Sequence, residues 1–257
     1  MIERLTRNPL ALGGAFVASA LLGALLFALI QAWLPGLGKR AQIERVVRDY
    51  ILQHPEIIPE AIDKLRAGET VKAQQAEAEA RKALPGQLAA VQKPYGSAWA
   101  GNPTGDVTVV AFMDYACGYC RASLPAIEEL LSKDPGVRIV YREFPVLGPE
   151  SGVAARWALA AAEQGKFRAF HDALYAEGPP SSETIAAAAA KAGLDKALAE
   201  KAIRSRPVEA EIAANHALGQ KLAMTGTPSW VVGGELLYGA RDYAGLAEAV
   251  AAARKAR

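Results

Sequence analysis

The position of the two cysteines constrains the fold more than any other feature of this sequence. Cys117 and Cys120 are the only cysteines in the chain, and they stand three positions apart in the stretch DYACGYCR. Residues 106–113 before them form an apolar, β-branched run of strand length, and residues 121–133 after them carry leucine and isoleucine on one helical face. The sequence therefore predicts an α/β protein in which the cysteine pair lies where a strand passes into a helix.

A Cys-x-x-Cys pair has several possible uses. Haem attachment needs a histidine directly after the second cysteine, and this chain has Arg121 there. A structural zinc site needs four ligands, whereas His54, His171 and His216 are scattered without zinc-ligand spacing. We therefore predict no metal and no cofactor, and the alternatives left open are a redox-active dithiol and an inert buried pair.

The helix start favours the redox interpretation. Backbone N–H groups without partners and the positive end of the helix dipole would stabilise a thiolate at Cys117 and lower its pKa. Cys120, one turn further along, could then attack a mixed disulfide on Cys117 and release the substrate.

An apolar segment precedes this unit. No charged residue occurs from position 8 to 38, and residues 10–34 are long enough to cross a hydrocarbon layer of about 30 Å. Arg4 and Arg7 come first, which predicts a cytoplasmic N-terminus and places the rest of the chain across the inner membrane, in the periplasm. We favour an uncleaved anchor (residues 1–38) over a cleaved signal peptide, which would leave a soluble periplasmic protein.

The net charge and the cysteine content limit the classes of partner that we expect this protein to bind. The formal net charge is +2 and no cluster of lysine and arginine is present, so nucleic acid binding is not expected. Both cysteines belong to one motif, which leaves the dithiol free to cycle. The expected partners are protein substrates that carry cysteines.

Residues 39–92 read as a helical segment. An apolar stripe from Ile43 to Ile51 predicts an amphipathic helix that ends at Pro55, and a second helix can begin near Pro59. Residues 70–84 are predicted to form an exposed helix, because they favour helix but contain few large apolar side chains. The segment could be a spacer or could pair with copies of itself.

The catalytic domain is predicted to cover residues 93–257, after a boundary rich in glycine and proline. Residues 136–146 form the next strand, parallel to the first, which is then central and buried. Residues of about 149–223 read as an insertion of four or five helices. A hairpin around Gly233 and Gly234 and a last helix from Asp242 complete the domain.

This order of elements resembles the DsbA-like branch of the thioredoxin superfamily. The resemblance implies a thioredoxin fold with an inserted helical domain, preceded by a transmembrane helix and an N-terminal helical segment. It implies that Cys117 attacks, that Cys120 resolves, and that the dipeptide between them tunes the redox potential. The implied potential-tuning and substrate-binding residues are Gly118, Tyr119, Thr227 and the cis-proline Pro228.

The direction of the reaction stays open at this point. Gly-Tyr between the cysteines and Thr before the proline resemble isomerase- and reductase-type members, such as DsbC and the suppressor-of-copper-sensitivity C proteins. The alternatives are a DsbA-type disulfide oxidase and a non-catalytic thioredoxin-fold chaperone. Residues 45–65 also resemble the N-terminal helices of the suppressor-of-copper-sensitivity C group, which implies a homo-oligomer. A membrane thiol oxidase or reductase is the implied redox partner.

One position departs from the family pattern. A buried glutamate commonly lies six residues before the first cysteine, and Ala111 stands there in this chain. Asp114 is expected to be a solvent-side or capping carboxylate. Glu143 could face the site or be solvated, so the acceptor for the Cys120 proton is unassigned.

The sequence also predicts whether several aromatic and histidine side chains lie in the core or at the surface. Tyr115, Trp99 and Trp230 are expected in the core rather than in a substrate groove. His171 and His216 lie in the predicted helical insertion and are expected at the surface or as capping residues.

Overall fold

The computed structural model describes residues 9–33 and 37–256 of the chain, which divides into two compact units between Glu69 and Thr70. Arg4 and Arg7, on which the predicted orientation rests, lie outside these residues. The helices are α1 (Pro9–Trp33), α2 (Leu37–Gln53), α3 (Ile57–Gln92), α4 (Gly118–Lys133), α5 (Pro149–Glu163), α6 (Phe167–Glu177), α7 (Ser182–Lys191), α8 (Lys196–Ala202), α9 (Arg206–Lys221) and α10 (Tyr243–Lys255). The strands are β1 (Trp99–Gly101), β2 (Val107–Met113), β3 (Val137–Glu143), β4 (Ser229–Val232) and β5 (Glu235–Tyr238).

The first unit contains α1 and α2. Within α1, Gly13–Ile30 is long and apolar enough to cross a membrane by length and composition, and its side chains are exposed. A helix of this length and composition is typical of a transmembrane span or a signal sequence. Helix α2 ends at Gln53, two residues before Pro55, as the sequence predicts.

Helix α3 differs from the sequence-based expectation. It runs from Ile57 to Gln92 without interruption at Gly68 and with Pro85 inside it, where two helices and a loop were predicted. Within a long helix one glycine costs only about 1 kcal/mol relative to alanine, so local composition does not force a break.

The end of α3 belongs to the core of the second unit. Ala80, Leu84 and Val91 are buried and join a cluster that includes Phe112 of β2 and Leu218 of α9. The prediction of an exposed helix over residues 70–84 is therefore wrong at Ala80 and Leu84, because two apolar positions about one turn apart are enough for the helix to join the core. The predicted domain start at 93 also differs from the start of the compact unit at Thr70.

The sheet has the order β1-β3-β2-β4-β5, so β2 is central as predicted. All seven residues of β2 are buried. Strands β2 and β3 pair in parallel, and β4 pairs antiparallel with both β2 and β5. Strand β1 lies in the glycine- and proline-rich stretch, where no strand was predicted. It pairs antiparallel with β3 at the edge of the sheet.

Helices cover both faces of the sheet. Alternate residues of β2 point to opposite faces. Val109 and Ala111 pack in the cluster that contains α4, α10 and much of the helical insertion, and Val110 and Phe112 pack in the cluster that contains the end of α3 and α9. The insertion between β3 and β4 consists of α5 to α9, which confirms the predicted helical block.

Candidate active site

Cys117 caps the N-terminus of α4. Its backbone is extended, with φ −81° and ψ 113°, and its Sγ accepts a hydrogen bond from the N–H of Cys120 at 3.3 Å. The helix begins at Gly118, three residues before the predicted helical stretch of residues 121–133, so Cys117 is its N-cap and Cys120 lies in its first turn. The predicted place of the dithiol at a helix N-terminus is confirmed.

The chain segment before β4 lies against the same sulfur. The Thr227–Pro228 peptide bond is cis, as the resemblance implies. The Cys117 thiol donates a hydrogen bond to the carbonyl oxygen of Thr227 at 3.2 Å, across 110 residues of sequence. Strand β4 makes this contact possible, because it pairs with β2, the strand that leads into the dithiol.

The two cysteines have different environments. Cys120 is fully buried, and burial raises the pKa of its thiol well above the ordinary range. Cys117 is 5% exposed and lies at the helix end, next to the exposed residues Gly118 and Tyr119. Tyr119 is 72% exposed, so it presents its ring to solvent or to a bound partner rather than to the core.

Asp114 holds the active-site loop together, which corrects its predicted position on the solvent side. It is buried, and its carboxylate accepts hydrogen bonds from Ala116 N and Ser151 Oγ at 2.8 and 2.6 Å. It also accepts hydrogen bonds from the N–H groups of Val146 and Leu147, at 2.8 and 3.0 Å. An acidic residue just before a helix is a known capping signal, but the partners near residue 150 are visible only in the folded chain.

A buried polar cluster lies behind the dithiol. The Tyr115 hydroxyl is 3.3 Å from Glu143 Oε1 and 3.0 Å from His171 Nδ1, and its ring packs on Tyr175 with a centroid distance of 4.8 Å. Burial raises the pKa of Glu143 well above its usual range and lowers the pKa of His171 to about 3. Glu143 is thus not solvated, and the expectation that His171 lies at the surface is wrong.

Two of the three aromatic side chains that were predicted to lie in the core are buried. Tyr115 and Trp230 are core residues as expected, and the Trp230 indole donates a hydrogen bond to the carbonyl of Gly239 at 3.0 Å. Trp99 is partly buried in β1. His216 is also partly buried, with its ring 5.1 Å from that of Phe144.

Grooves flank the dithiol helix on two sides. One lies between α4 and the N-terminus of α10 and includes Ser123, Ala126 and Tyr243. The other lies between α4 and α6 and includes Arg121, Leu124 and Tyr175. Within residues 9–33 and 37–256, no group of three or more His, Cys, Asp or Glu side chains is placed to hold a metal ion.

A dithiol at the N-terminus of the helix after a central strand, facing a cis-proline, defines a thioredoxin-fold protein. Residues 108–251 match the family of DSBA-like thioredoxin domains, and residues 40–70 match the N-terminal domain of the copper resistance protein ScsC. The chain belongs to the DSBA-like thioredoxin-domain family.

Solved structures agree with this assignment. A thioredoxin-like oxidoreductase from Silicibacter pomeroyi DSS-3 is 46% identical, with a TM-score of 0.60 over 62% of this chain and 92% of that one. The catalytic domain of Proteus mirabilis ScsC is 26% identical, with a TM-score of 0.61 over 67% of this chain and 97% of that one.

One curated relative is much longer than this chain. The Na(+)/H(+) antiporter NhaA 1 from Salinispora arenicola is 32% identical over 150 residues, which are 57% of this chain and 23% of that protein. The chain thus spans about a quarter of the length of that relative.

Proposed function

We propose that this protein is an extracytoplasmic thiol-disulfide oxidoreductase that acts on protein disulfides. The observation that carries the proposal is the position of the Cys117 sulfur, which contacts both the N–H of Cys120 and the carbonyl of Thr227. A sulfur at this position can react with an incoming disulfide while an extended substrate segment pairs with the backbone of Thr227.

The proposed steps balance electrons and protons. The Cys117 thiolate attacks a substrate disulfide, forms a mixed disulfide and expels one substrate sulfur as a thiolate. Cys120 gives its proton to an acceptor and attacks Cys117 Sγ, which releases the second substrate sulfur. Two electrons pass from the dithiol to the substrate. Running the steps in reverse oxidises a substrate dithiol, and the redox potential decides which direction prevails.

We propose isomerase or reductase activity over oxidase activity. The support is the Gly118-Tyr119 dipeptide, Thr227, and the likeness to the ScsC catalytic domain. The surface near the sulfur also suits partly unfolded substrates. Tyr119, Val146 and Leu147 are exposed, and the amides of Val146 and Leu147 are held by Asp114 beside the dithiol loop. Apolar groups in this position favour contact with apolar segments of a misfolded protein.

The N-terminal region supports two further parts of the proposal. Gly13–Ile30 would anchor the protein in the inner membrane, with the dithiol in the periplasm and a membrane thiol oxidase or reductase as partner. Apolar side chains of α2 and the start of α3 are exposed, which supports self-association through the segment that matches the ScsC N-terminal domain. These exposed side chains are Ile43, Val46, Val47, Tyr50, Ile58, Ile62 and Leu65.

The test is refolding of a scrambled multi-disulfide substrate by the full chain in detergent, beside Cys117→Ser as the inactive control. Recovery of native substrate disulfides by the native chain alone supports the isomerase proposal. Oxidation of a reduced peptide without reshuffling would assign the protein as an oxidase, and equal behaviour of the native chain and Cys117→Ser in both assays would overturn the catalytic proposal.

A further inference from the structure

The groove between α4 and α6 lies on the face of α4 that begins at the attacking cysteine. Its α4 wall consists of Arg121, Leu124, Pro125 and Glu128. These positions follow Cys117 by four, seven, eight and eleven residues, which is the spacing of one helix face. The groove has a volume of about 630 Å³, within the range of ligand-binding clefts. A molecule bound in it would therefore extend away from the Cys117 sulfur along the helix.

Arg121 lies at the end of this groove nearest the dithiol. Its Nε donates a hydrogen bond to the carbonyl oxygen of Tyr175 at 3.0 Å, which fixes the guanidinium against α6. Within residues 9–33 and 37–256, its two Nη groups have neither a hydrogen bond nor an ion pair. The helix dipole does not favour a cation so near a helix N-terminus. The charge of Arg121 is thus unmatched by the part of the chain that the structure describes.

The charges farther along the groove have the opposite balance. Arg168 of α6 lies 2.8 Å from Asp172 and also pairs with Glu128. Two carboxylates against one guanidinium leave a net negative charge in this part of the groove. Glu128 follows Arg121 by seven residues, so it lies about 10 Å farther along the helix axis. A carboxylate in the groove would be attracted to the dithiol end and repelled from the other end.

The backbone of α4 adds a hydrogen-bond acceptor at the dithiol end. Pro125 lies inside the helix and has no N–H, so the carbonyl of Arg121 lacks its usual helical donor. Arg121 therefore offers both N–H donors and a carbonyl acceptor, while Leu124 and Ala176 add apolar surface. An extended peptide that carries an acidic side chain has the complementary groups.

The groove and Thr227 lie on opposite sides of the strand that leads into the dithiol. Thr227 precedes β4, which pairs with β2 on one side. Helix α6 packs towards β1, which lies beyond β3 on the other side. A substrate chain that pairs with the backbone of Thr227 would therefore cross the Cys117 sulfur before it reaches Arg121.

We propose that this groove binds the substrate segment next to the reactive cysteine and that Arg121 selects protein substrates with a glutamate or aspartate there. The inference rests on the proposed function and names its substrate class. Arg121 follows Cys117 by four residues, which is about 6 Å along the helix. An extended chain advances about 3.3 Å per residue. The acidic residue is therefore expected two positions from the substrate cysteine.

The test measures the first chemical step with the full reduced chain in non-ionic detergent. Each substrate is a short peptide whose single cysteine is joined by a disulfide to a neutral, coloured thiol of low pKa. Attack by the Cys117 thiolate forms the disulfide between Cys117 and the peptide and expels the coloured thiolate, so absorbance gives the second-order rate constant. The peptides carry Glu or Gln two positions before or after the cysteine. With Glu at one of these positions, the native chain should react about fivefold to tenfold faster than with Gln.

Two arginine variants show whether this groove is responsible. Arg121→Gln should react equally with the Glu and Gln peptides. Arg241→Gln, the matched control, removes an arginine from the groove on the other side of α4 and should keep the native preference. The inference is overturned if the native chain has no preference, if Arg121→Gln keeps it, or if Arg241→Gln loses it equally.

The native chain decides the question if Arg121→Gln does not fold. Salt screens the attraction between accessible charges, so the preference for Glu should fall as sodium chloride rises from about 0.02 to about 0.5 M. A preference that salt does not change would overturn the inference. If the native chain releases the coloured thiol no faster than Cys117→Ser with any peptide, the proposed function fails instead, so the two failures are distinguishable.

Discussion

The guanidinium of Arg142 donates two hydrogen bonds to the carbonyl oxygen of Val91, from Nε at 3.1 Å and from Nη2 at 3.0 Å. It also donates to the carbonyl of Lys93 at 2.6 Å and to that of Ala90. These carbonyls lie at the C-terminal end of α3, where helical carbonyls lack partners and a cation is favourable. Glu211, 2.6 Å from Nη1, completes the site. One buried side chain of β3 therefore fixes the end of a 36-residue helix.

Removing this guanidinium should destabilise the protein strongly. Arg142→Met leaves buried carbonyls and Glu211 without their donor, and the loss of one member of a buried ion pair costs about 3–5 kcal/mol. Urea unfolding gives the free energy of unfolding. The matched control is Arg156→Met, whose partner Glu209 is largely exposed, with an expected cost of at most about 1 kcal/mol. Equal costs would contradict the structural role of Arg142.

His171 should make stability depend on pH. Its folded pKa is about 3, whereas a histidine in the unfolded chain has a pKa of about 6.5. Between these values the unfolded chain binds a proton that the folded chain does not, so stability that is full above about pH 6.5 is lost as pH falls. From pH 6 to 4.5 the native chain should lose about 2 kcal/mol more than His171→Gln. Urea titrations at several pH values measure this, and equal slopes would show that His171 is not buried in its neutral form.

The two cysteines should differ in reactivity. Cys120 is fully buried with a raised pKa, so iodoacetamide near neutral pH should modify the native chain once, at Cys117. Peptide mass spectrometry identifies the site, and Cys117→Ala should remain unmodified. Cys120→Ser should accumulate a mixed disulfide with substrate, because the resolving sulfur is missing. Preferential labelling of Cys120 would reverse the assigned roles.

The dipeptide between the cysteines can be tested without disturbing the fold. Gly118 is the first residue of α4, a Cβ added there meets no atom within 4 Å, and Cys117 already has the extended backbone that precedes proline. Gly118→Pro should therefore not lower the free energy of unfolding, and it should raise it by up to about 1 kcal/mol. The variant removes an N–H near the sulfur, so the dithiol form should lose about tenfold in its glutathione equilibrium, which corresponds to about 30 mV. Ser182→Pro, at the first position of α7, is the matched control, and equal equilibria for both variants would contradict a tuning role.

The apolar face of α2 should control self-association. Val46→Gln with Val47→Gln replaces two exposed apolar side chains by polar helix formers, and we expect a smaller particle in detergent by light scattering and lower isomerase activity. The matched control is Arg45→Gln with Arg48→Gln, on the other side of the same helix. A native chain that is already monomeric, or an equal effect of both pairs, would show that the helix is a spacer.

Local sequence patterns predicted the active-site unit and the helical insertion because their signals lie within a few residues. An apolar β-branched run, a Cys-x-x-Cys pair and a stripe of leucine are enough to place Cys117 at a helix start. Glycine and proline likewise mark the helix breaks of the insertion and the hairpin at Gly233. The same local reasoning failed for α3, where Gly68 and Pro85 suggested breaks that the helix tolerates.

Local sequence patterns are sufficient to predict the dithiol, its strand and helix, the apolar N-terminal segment and the family. The surroundings of the sulfurs depend on how distant parts of the chain pack together. The partners of Tyr115 lie 28 and 56 residues away in sequence, at Glu143 and His171, and Thr227 lies 110 residues from Cys117. Nothing in the spacing of these residues marks them as neighbours. The parallel pairing of β2 with β3 and the return of the chain through β4 bring them together, and the resulting burial sets their protonation.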